Sequence, residues 1–242
     1  KRELSVRTSF KNLYDDGLIF RAERLINWCI GCRSAISDIE VQYDDEDGSF
    51  WYIKYKLDDE SDESIIVATT RPETIPADVA VAVNPNDERN AHLIGKNCFV
   101  PTTNRTIPII GDEAIDIELG SGALKVTPAH DQIDFDIGER HNLEIINILN
   151  PDGTLNELAG RYEGLSLEAT RQVIVKDMEN LELIERTDPY THAVGHCSRC
   201  STIVEPLVSE QWWVDAKQLA KPAIQAVTSK QIAFVPSRFQ KT

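Results

Sequence analysis

The sequence predicts an α+β chain that is mainly β, arranged as a closed or nearly closed barrel with a small lobe made by its two ends. Three observations carry this. Many short apolar or alternating segments are closed by Gly, Pro, Asn and Asp. Few segments show a helical period. Two C-x-x-C pairs, Cys29/Cys32 and Cys197/Cys200, stand 164 residues apart (33 to 196), near the two ends.

Taken in order, residues 1–25 read as helical, with Phe10, Leu13 and Tyr14 on one face and Gly17 as a plausible stop before Leu18-Ile19-Phe20. After the first C-x-x-C pair, Ser49 to Leu57 alternates aromatic or aliphatic with polar positions, and Ser64 to Arg71 reads as a buried strand. Two acidic clusters, Asp44 to Asp47 and Asp58 to Glu63, bracket the first of these strands and read as solvated hairpin loops. Val79 to Val83 is an apolar run closed by Asn84-Pro85-Asn86. Cys98 to Val100 and Ile107 to Ile110 are short strands bordered by proline. Leu143 to Leu149 reads as a further strand before the turn Asn150 to Gly153. The clearest helix is Leu167 to Leu181, with Ala169, Val173 and Met178 on its apolar side. Glu205 to Val214 leads back to the end lobe, and Gln218 to Val227 is a final helix. The organisation expected is 1–40 as connection and first half of the lobe, 41–191 as the main domain, and 192–242 as the second half with its connection.

A chain of 242 residues with 41% hydrophobic content has material for one large core, and it shows neither a membrane-length apolar run nor a signal peptide. Five cysteines, four of them in C-x-x-C, fit a reducing compartment and a metal site better than a disulfide scaffold; a cytoplasmic location is expected. The four thiolates suffice for a tetrahedral structural zinc site, Zn(Cys)4. His192 and His196 are spare candidates, and Cys98 reads as a buried small side chain. The net charge of −15 argues against nonspecific nucleic-acid binding, so any RNA contact must be a localised patch.

Candidate chemistry concentrates in Gly120 to His141, GSGALKVTPAHDQIDFDIGERH. Ala123 to Thr127 suits a half-buried strand, Pro128-Ala129 ends it, and Asp131 opens a helix. Lys125 and Thr127 point to one side of the strand, and Asp131 and Asp134 share a helix face, so four polar groups converge on a helix N-terminus. The bland alternative makes Asp131 an N-cap, Asp134 a first-turn acid and Lys125 a solvated strand residue. A second constellation is Thr69-Thr70-Arg71-Pro72-Glu73-Thr74, in which Thr70 and Glu73 have capping-box spacing. No G-x-S-x-G motif is present, His130 has no evident triad, and no two-His cluster suggests a catalytic metal.

The long segment GSGALKVTPAHDQIDFDIGERH, together with ATTRPETIPADVAVAVNPNDERN (Ala68–Asn90), RAERLINW and HCSRCSTIVEPLVSEQWWV, resembles the editing insertion of the valyl-tRNA synthetases. The isoleucyl and leucyl relatives share the framework. The resemblance implies a barrel-like editing domain of the Val/Ile/Leu type with a zinc-stapled lobe. It also implies aminoacyl-tRNA deacylase activity: hydrolysis, by positioned water, of threonine wrongly esterified to the 3′ end of valine tRNA. Lys125, Thr127, Asp131 and Asp134 form one wall of the implied pocket, and Thr69, Thr70, Arg71 and Thr74 the other. In this reading Asp134 takes the substrate ammonium, Asp131 and Thr74 the threonine hydroxyl, Lys125 and Arg71 order the pocket or the terminal adenosine, and Thr127 fixes water. HIGH- and KMSKS-like motifs are absent, so ATP is used only by a synthetic domain outside this chain, with the remainder of the synthetase as partner and a monomeric isolated domain. The wording Ile75-Pro76-Ala77-Asp78 is closer to isoleucyl relatives and keeps hydrolysis of valine from isoleucine tRNA as an alternative. Two further alternatives are a non-catalytic tRNA-docking module and an unrelated small-molecule hydrolase.

Overall fold

The computed structural model describes residues 2–59, 61–236, 238 and 239; Glu60 of the second acidic cluster lies outside them. The chain divides into two compact units, Lys1–Arg24 with Ser209–Thr242, and Leu25–Val208. In the first, α1 (Arg2–Asp15) stops at Gly17, whose φ of 71° is the left-handed conformation that glycine adopts without steric cost. The helix expected through residue 25 therefore ends early. Residues 19 onward form β1 (Ile19–Cys29), because pairing with remote strands overrides the helical propensity of Arg21 to Arg24.

The remaining elements are β2 (Ser34–Ile36), β3 (Val41–Lys56), β4 (Ser64–Thr69), β5 (Ala80–Val83), β6 (Asn97–Phe99), β7 (Thr106–Gly111) and β8 (Ala123–Val126). Helices α2 (Gln132–His141) and α3 (Leu167–Asn180) follow, then β9 (Ile184–Cys197), β10 (Val204–Val214) and α4 (Ala216–Thr228). Trp212 of β10 packs edge-on against Phe10 and Tyr14 of α1, with ring centroids 5.1 and 5.9 Å away. No helix among the described residues is long and apolar enough to cross a membrane.

The mainly β class holds, but the barrel does not close. The described strands form three sheets, ordered β10-β1-β2, β4-β3-β9 and β6-β7-β5-β8. Between the last two, the isolated bridge from Leu57 to Cys98 is the only ladder step among the described residues, and β4 lies near β8 without pairing with it. Two other expectations change. Asp44 to Asp47 form no loop: they sit inside β3, paired with Thr191 to Val194 of β9, where a two-stranded ribbon leaves acidic side chains in water while satisfying their backbone. The segment 143–149 is irregular except for a single bridge from Leu149 to Leu155.

Every residue of β5 is buried, because both of its faces are covered. Val81 and Val83 join the main core with Ile53, Tyr55, Val67 and Ile109, whereas Ala80 and Ala82 face a second cluster with Val126 and Ile137 of α2. Gly138 lets α2 approach Pro128, since a Cβ there would stand 2.8 Å from the proline Cγ. In α3 the buried stripe is Thr170, Ile174 and Met178 at i, i+4 and i+8; Val173, expected inside, is 39% exposed.

Candidate functional site

Two chain segments meet at one cleft of about 660 Å³ within the Leu25–Val208 unit. The first follows β4. Proline at 72 pushes Arg71 out of the helical region (φ −126°, ψ 65°), and a 3₁₀ turn, Pro72–Ala77, carries the chain on to β5. The second is β8 with the N-terminus of α2. Thr69, Thr70, Arg71 and Thr74 line the cleft from the first segment, and Lys125, Thr127, Asp131 and Asp134 from the second. All eight residues singled out in the sequence thus share one cavity.

Their roles in the fold differ. Asp131 is an N-cap: its Oδ1 accepts from the Ile133 and Asp134 amides at 2.8 and 3.1 Å. Lys125 is no solvated strand residue; it is 5% exposed, and its Nζ donates to Thr74 Oγ1 (2.8 Å), Thr127 Oγ1 (2.5 Å) and Asp78 Oδ1 (3.2 Å). Asp134 is 4% exposed; one oxygen accepts from the Thr127 amide at 2.8 Å, and the other takes no hydrogen bond from the described residues. Burial pushes its carboxyl up to about 7, with Lys125 opposing and Asp131 reinforcing the shift.

Arg71 is held by protein acceptors at each of its three guanidinium nitrogens. Its guanidinium donates to Glu73 Oε1 (3.3 Å), the His130 carbonyl (3.0 Å) and the Glu205 carboxylate. The capping box between Thr70 and Glu73 does not form, because Glu73 turns away to take a bidentate grip from Arg171 of α3 at 2.9 and 2.8 Å. Burial works against the charge on Glu73, yet Arg171 and Arg71 outweigh it and hold the carboxyl below its ordinary value. Substituting Arg71→Lys is expected to cost about 1–2 kcal/mol of stability, since an ammonium keeps the charge but cannot reproduce the planar fork that spans three acceptors. Urea unfolding at pH 7 measures this, and an unchanged midpoint would refute it. His130 is neutral: burial, then Arg71 and Lys125, lower its pKa to about 3, and its Nε2 accepts from the Ile148 amide at 3.2 Å.

Several site residues escaped sequence reasoning. Asp78 is fully buried between Lys125, Thr127 and Tyr55, whose hydroxyl donates to it at 2.6 Å; burial raises its carboxyl, and Lys125 and the hydrogen bonds from Thr127 and Tyr55 oppose this. The available signal was a charged residue inside an apolar run, ADVAVAV. Arg171 and Glu205 gave none, their partners lying 98 and 134 residues away. Phe50, Tyr190 and His192 also line the cleft; Phe50 stacks on Tyr190 at 4.9 Å, and Tyr190 on His192 at 5.8 Å.

The C-x-x-C pairs converge as expected. The Sγ atoms of Cys29, Cys32, Cys197 and Cys200 lie within 4.8 Å of one another. Sulfur separations of 3.4 Å (Cys29–Cys200), 3.5 Å (Cys32–Cys200) and 4.0 Å (Cys32–Cys197) bracket the roughly 3.8 Å that about 2.3 Å metal–thiolate bonds impose on a tetrahedron. The Cys32 amide donates to Cys29 Sγ at 3.2 Å, and any Cβ at Gly31 would collide with Thr202 Oγ1 at 2.4 Å, so the knuckle is tightly shaped. These four cysteines could hold a metal ion. His196 is occupied elsewhere, with Glu46 at 2.9 Å and the Ser201 carbonyl at 3.2 Å. Cys98 is fully buried.

Residues 1–242 match the family of class I tRNA synthetases (I, L, M and V). The chain is 50% identical over 238 residues to the valine--tRNA ligase of Clostridium tetani and 51% identical over 237 residues to that of Dehalococcoides mccartyi. In each case the match covers 98% of this chain and 27% of the relative. The chain thus spans about a quarter of the length of the curated relatives it matches. Among solved structures, the ternary complex of Agrobacterium radiobacter K84 agnB2 LeuRS-tRNA-LeuAMS matches with a TM-score of 0.47 and 15% identity, covering 81% of this chain and 35% of that one. The chain belongs to the class I tRNA synthetases, the family of the isoleucyl, leucyl, methionyl and valyl enzymes.

Proposed function

We propose that this chain is the proofreading part of a valine--tRNA ligase, and that its cleft hydrolyses threonine esterified to the terminal ribose of valine tRNA. The observation that carries the reading is the cleft floor. There an unpartnered carboxylate oxygen of Asp134 lies in one cavity with the hydroxyls of Thr74 and Thr127. That combination suits a substrate with an ammonium and a hydroxyl. The ester is already activated, so the site need only hold it and a water in attack geometry and disfavour valine.

In this reading Asp134 seats the ammonium, and Asp131 adds negative charge while holding the start of α2. Lys125 acts as an internal brace, because all three of its ammonium protons go to protein acceptors, and Arg71 is tied to protein through each of its three guanidinium nitrogens. Thr69 and Thr70, whose hydroxyl protons no acceptor among the described residues takes, are free to donate to ester or ribose oxygens. The Phe50–Tyr190 stack offers an apolar ring surface to the terminal base. The four cysteines would hold a structural zinc ion, which staples the two chain segments that enter and leave the domain. Valine activation with ATP belongs to parts of the ligase outside this chain.

The test is deacylation of threonyl-tRNA(Val) beside valyl-tRNA(Val) and valyl-tRNA(Ile), with wild type and an Asp131→Ala/Asp134→Ala variant. Selective hydrolysis of the threonyl ester, lowered about 10²-fold or more in the variant, is expected. An intact threonyl ester would sink the hydrolytic reading in favour of a docking module, and preference for valyl-tRNA(Ile) would reassign the specificity.

A further inference from the structure

The protons of the cleft floor all run inward. A lysine ammonium only donates, and Lys125 delivers its three protons to Thr74 Oγ1, Thr127 Oγ1 and Asp78 Oδ1. Both threonine hydroxyls are therefore acceptors toward Lys125 and must send their own protons elsewhere. Thr127 donates to Asp78 Oδ1 at 2.7 Å, and Thr74 to the Arg71 carbonyl at 3.0 Å. The second oxygen of Asp78 takes the Tyr55 hydroxyl proton. A hydroxyl has one proton and two lone pairs. Each threonine has committed its proton and one lone pair to the protein interior, which leaves one lone pair for the cleft both residues line. The Asp134 oxygen that takes no hydrogen bond from the described residues adds a third acceptor to these two when the carboxyl is ionised.

Asp78 is the sink for this circuit. It is fully buried and does not line the cleft, so it acts only through Lys125 and Thr127. Resting on the proofreading reading above, we propose that Asp78 is a positioning residue that sets amino-acid specificity. By drawing the Thr127 proton inward and balancing the Lys125 charge, it turns the floor into acceptors that bind a β-hydroxy α-amino acid through its hydroxyl and ammonium protons. An aliphatic side chain of the same shape, such as valine's, desolvates the same lone pairs and returns nothing to them. Without Asp78, the Thr127 hydroxyl is free to rotate toward the cleft, and the floor loses its polarity.

The experiment measures binding of two hydrolysis-resistant amides, threonyl and valyl 3′-amino-3′-deoxyadenosine, to the full chain by calorimetry. Wild type is expected to prefer the threonyl amide. The preference should fall tenfold or more in Asp78→Ala. It should fall at least threefold in Asp78→Asn, which keeps the shape and one acceptor but loses the charge, and which covers the case in which the alanine variant does not fold. Affinity for the valyl amide should stay within threefold, a pattern that general loosening of the fold would not give. A folded variant that keeps the wild-type preference overturns the role of Asp78 and leaves the proofreading reading standing. A wild type with no preference for the threonyl amide overturns both.

Discussion

Asp134→Asn is expected to lose proofreading and gain stability together. One carboxylate oxygen of this cleft residue takes no hydrogen bond from the described residues, and burial holds the group up to about 7, far above an unfolded value near 3.8. The folded chain thus binds this proton more tightly than the unfolded chain. Below about pH 4 the carboxyl is protonated in both states and nothing is lost. As pH rises from there to about 7, the unfolded chain ionises first and stability falls; above 7 the loss is complete, at most about 4 kcal/mol. Asparagine keeps an oxygen for the Thr127 amide and has no charge to bury. The variant should therefore match wild type near pH 4 and exceed it by about 2–4 kcal/mol at pH 8 in urea unfolding. Its kcat/KM on threonyl-tRNA(Val) should fall about 10²–10³-fold, since the substrate ammonium loses its buried counter-charge. A variant that is less stable at pH 8 would refute the cost of burying this charge, and one that still deacylates would remove Asp134 as the ammonium seat.

That group was legible in the sequence because its chemistry is local. Thr127, Asp131 and Asp134 fall within eight residues, and proline, N-cap and helix signals place them together. The same locality exposed the Thr69 to Thr74 segment and both cysteine knuckles. What escaped is whatever depends on a partner far along the chain. Glu73 had a local explanation, the capping box, which lost to a bidentate arginine 98 residues away. Asp78 sits in a run that periodicity reads as core, and its purpose appears only when β8 brings Lys125 beside it. Strand limits failed for the same reason: Asp44 to Asp47 look like a loop until β9 supplies a backbone partner. Barrel closure depends on ladder continuity between sheets, and β4 and β8 run near each other without it.

Cys197→Ser is expected to damage the cleft as well as the knuckle. Cys29 and Cys197 are buried with Ile36 as a small core of their own, so loss of one thiolate from the proposed metal site leaves little else to hold that lobe. β10 leaves the knuckle directly: the Cys197 amide donates to the Thr202 carbonyl at 2.9 Å, and Glu205, three residues further on, clamps Arg71. Arg71 in turn holds the His130 carbonyl and Glu73 beneath the cleft. Fraying of β10 from its start therefore takes Glu205 away from Arg71 and loosens the hold of Arg71 on the His130 carbonyl and Glu73. Several kcal/mol are at stake where a structural metal is lost, which for a domain of this size is a fall in Tm of about 10 °C or more. Chelation of wild type should reproduce the fall, zinc should reverse it in wild type and not in the variant, and threonyl-tRNA(Val) deacylation should track the melting. Glu205→Gln, with the knuckle intact, should lose deacylation with a much smaller change in Tm, because it cuts the link to Arg71 and spares the metal. If chelation leaves Tm unchanged, the four cysteines hold no structural ion; if Glu205→Gln deacylates normally, the knuckle supports the fold without supporting the cleft.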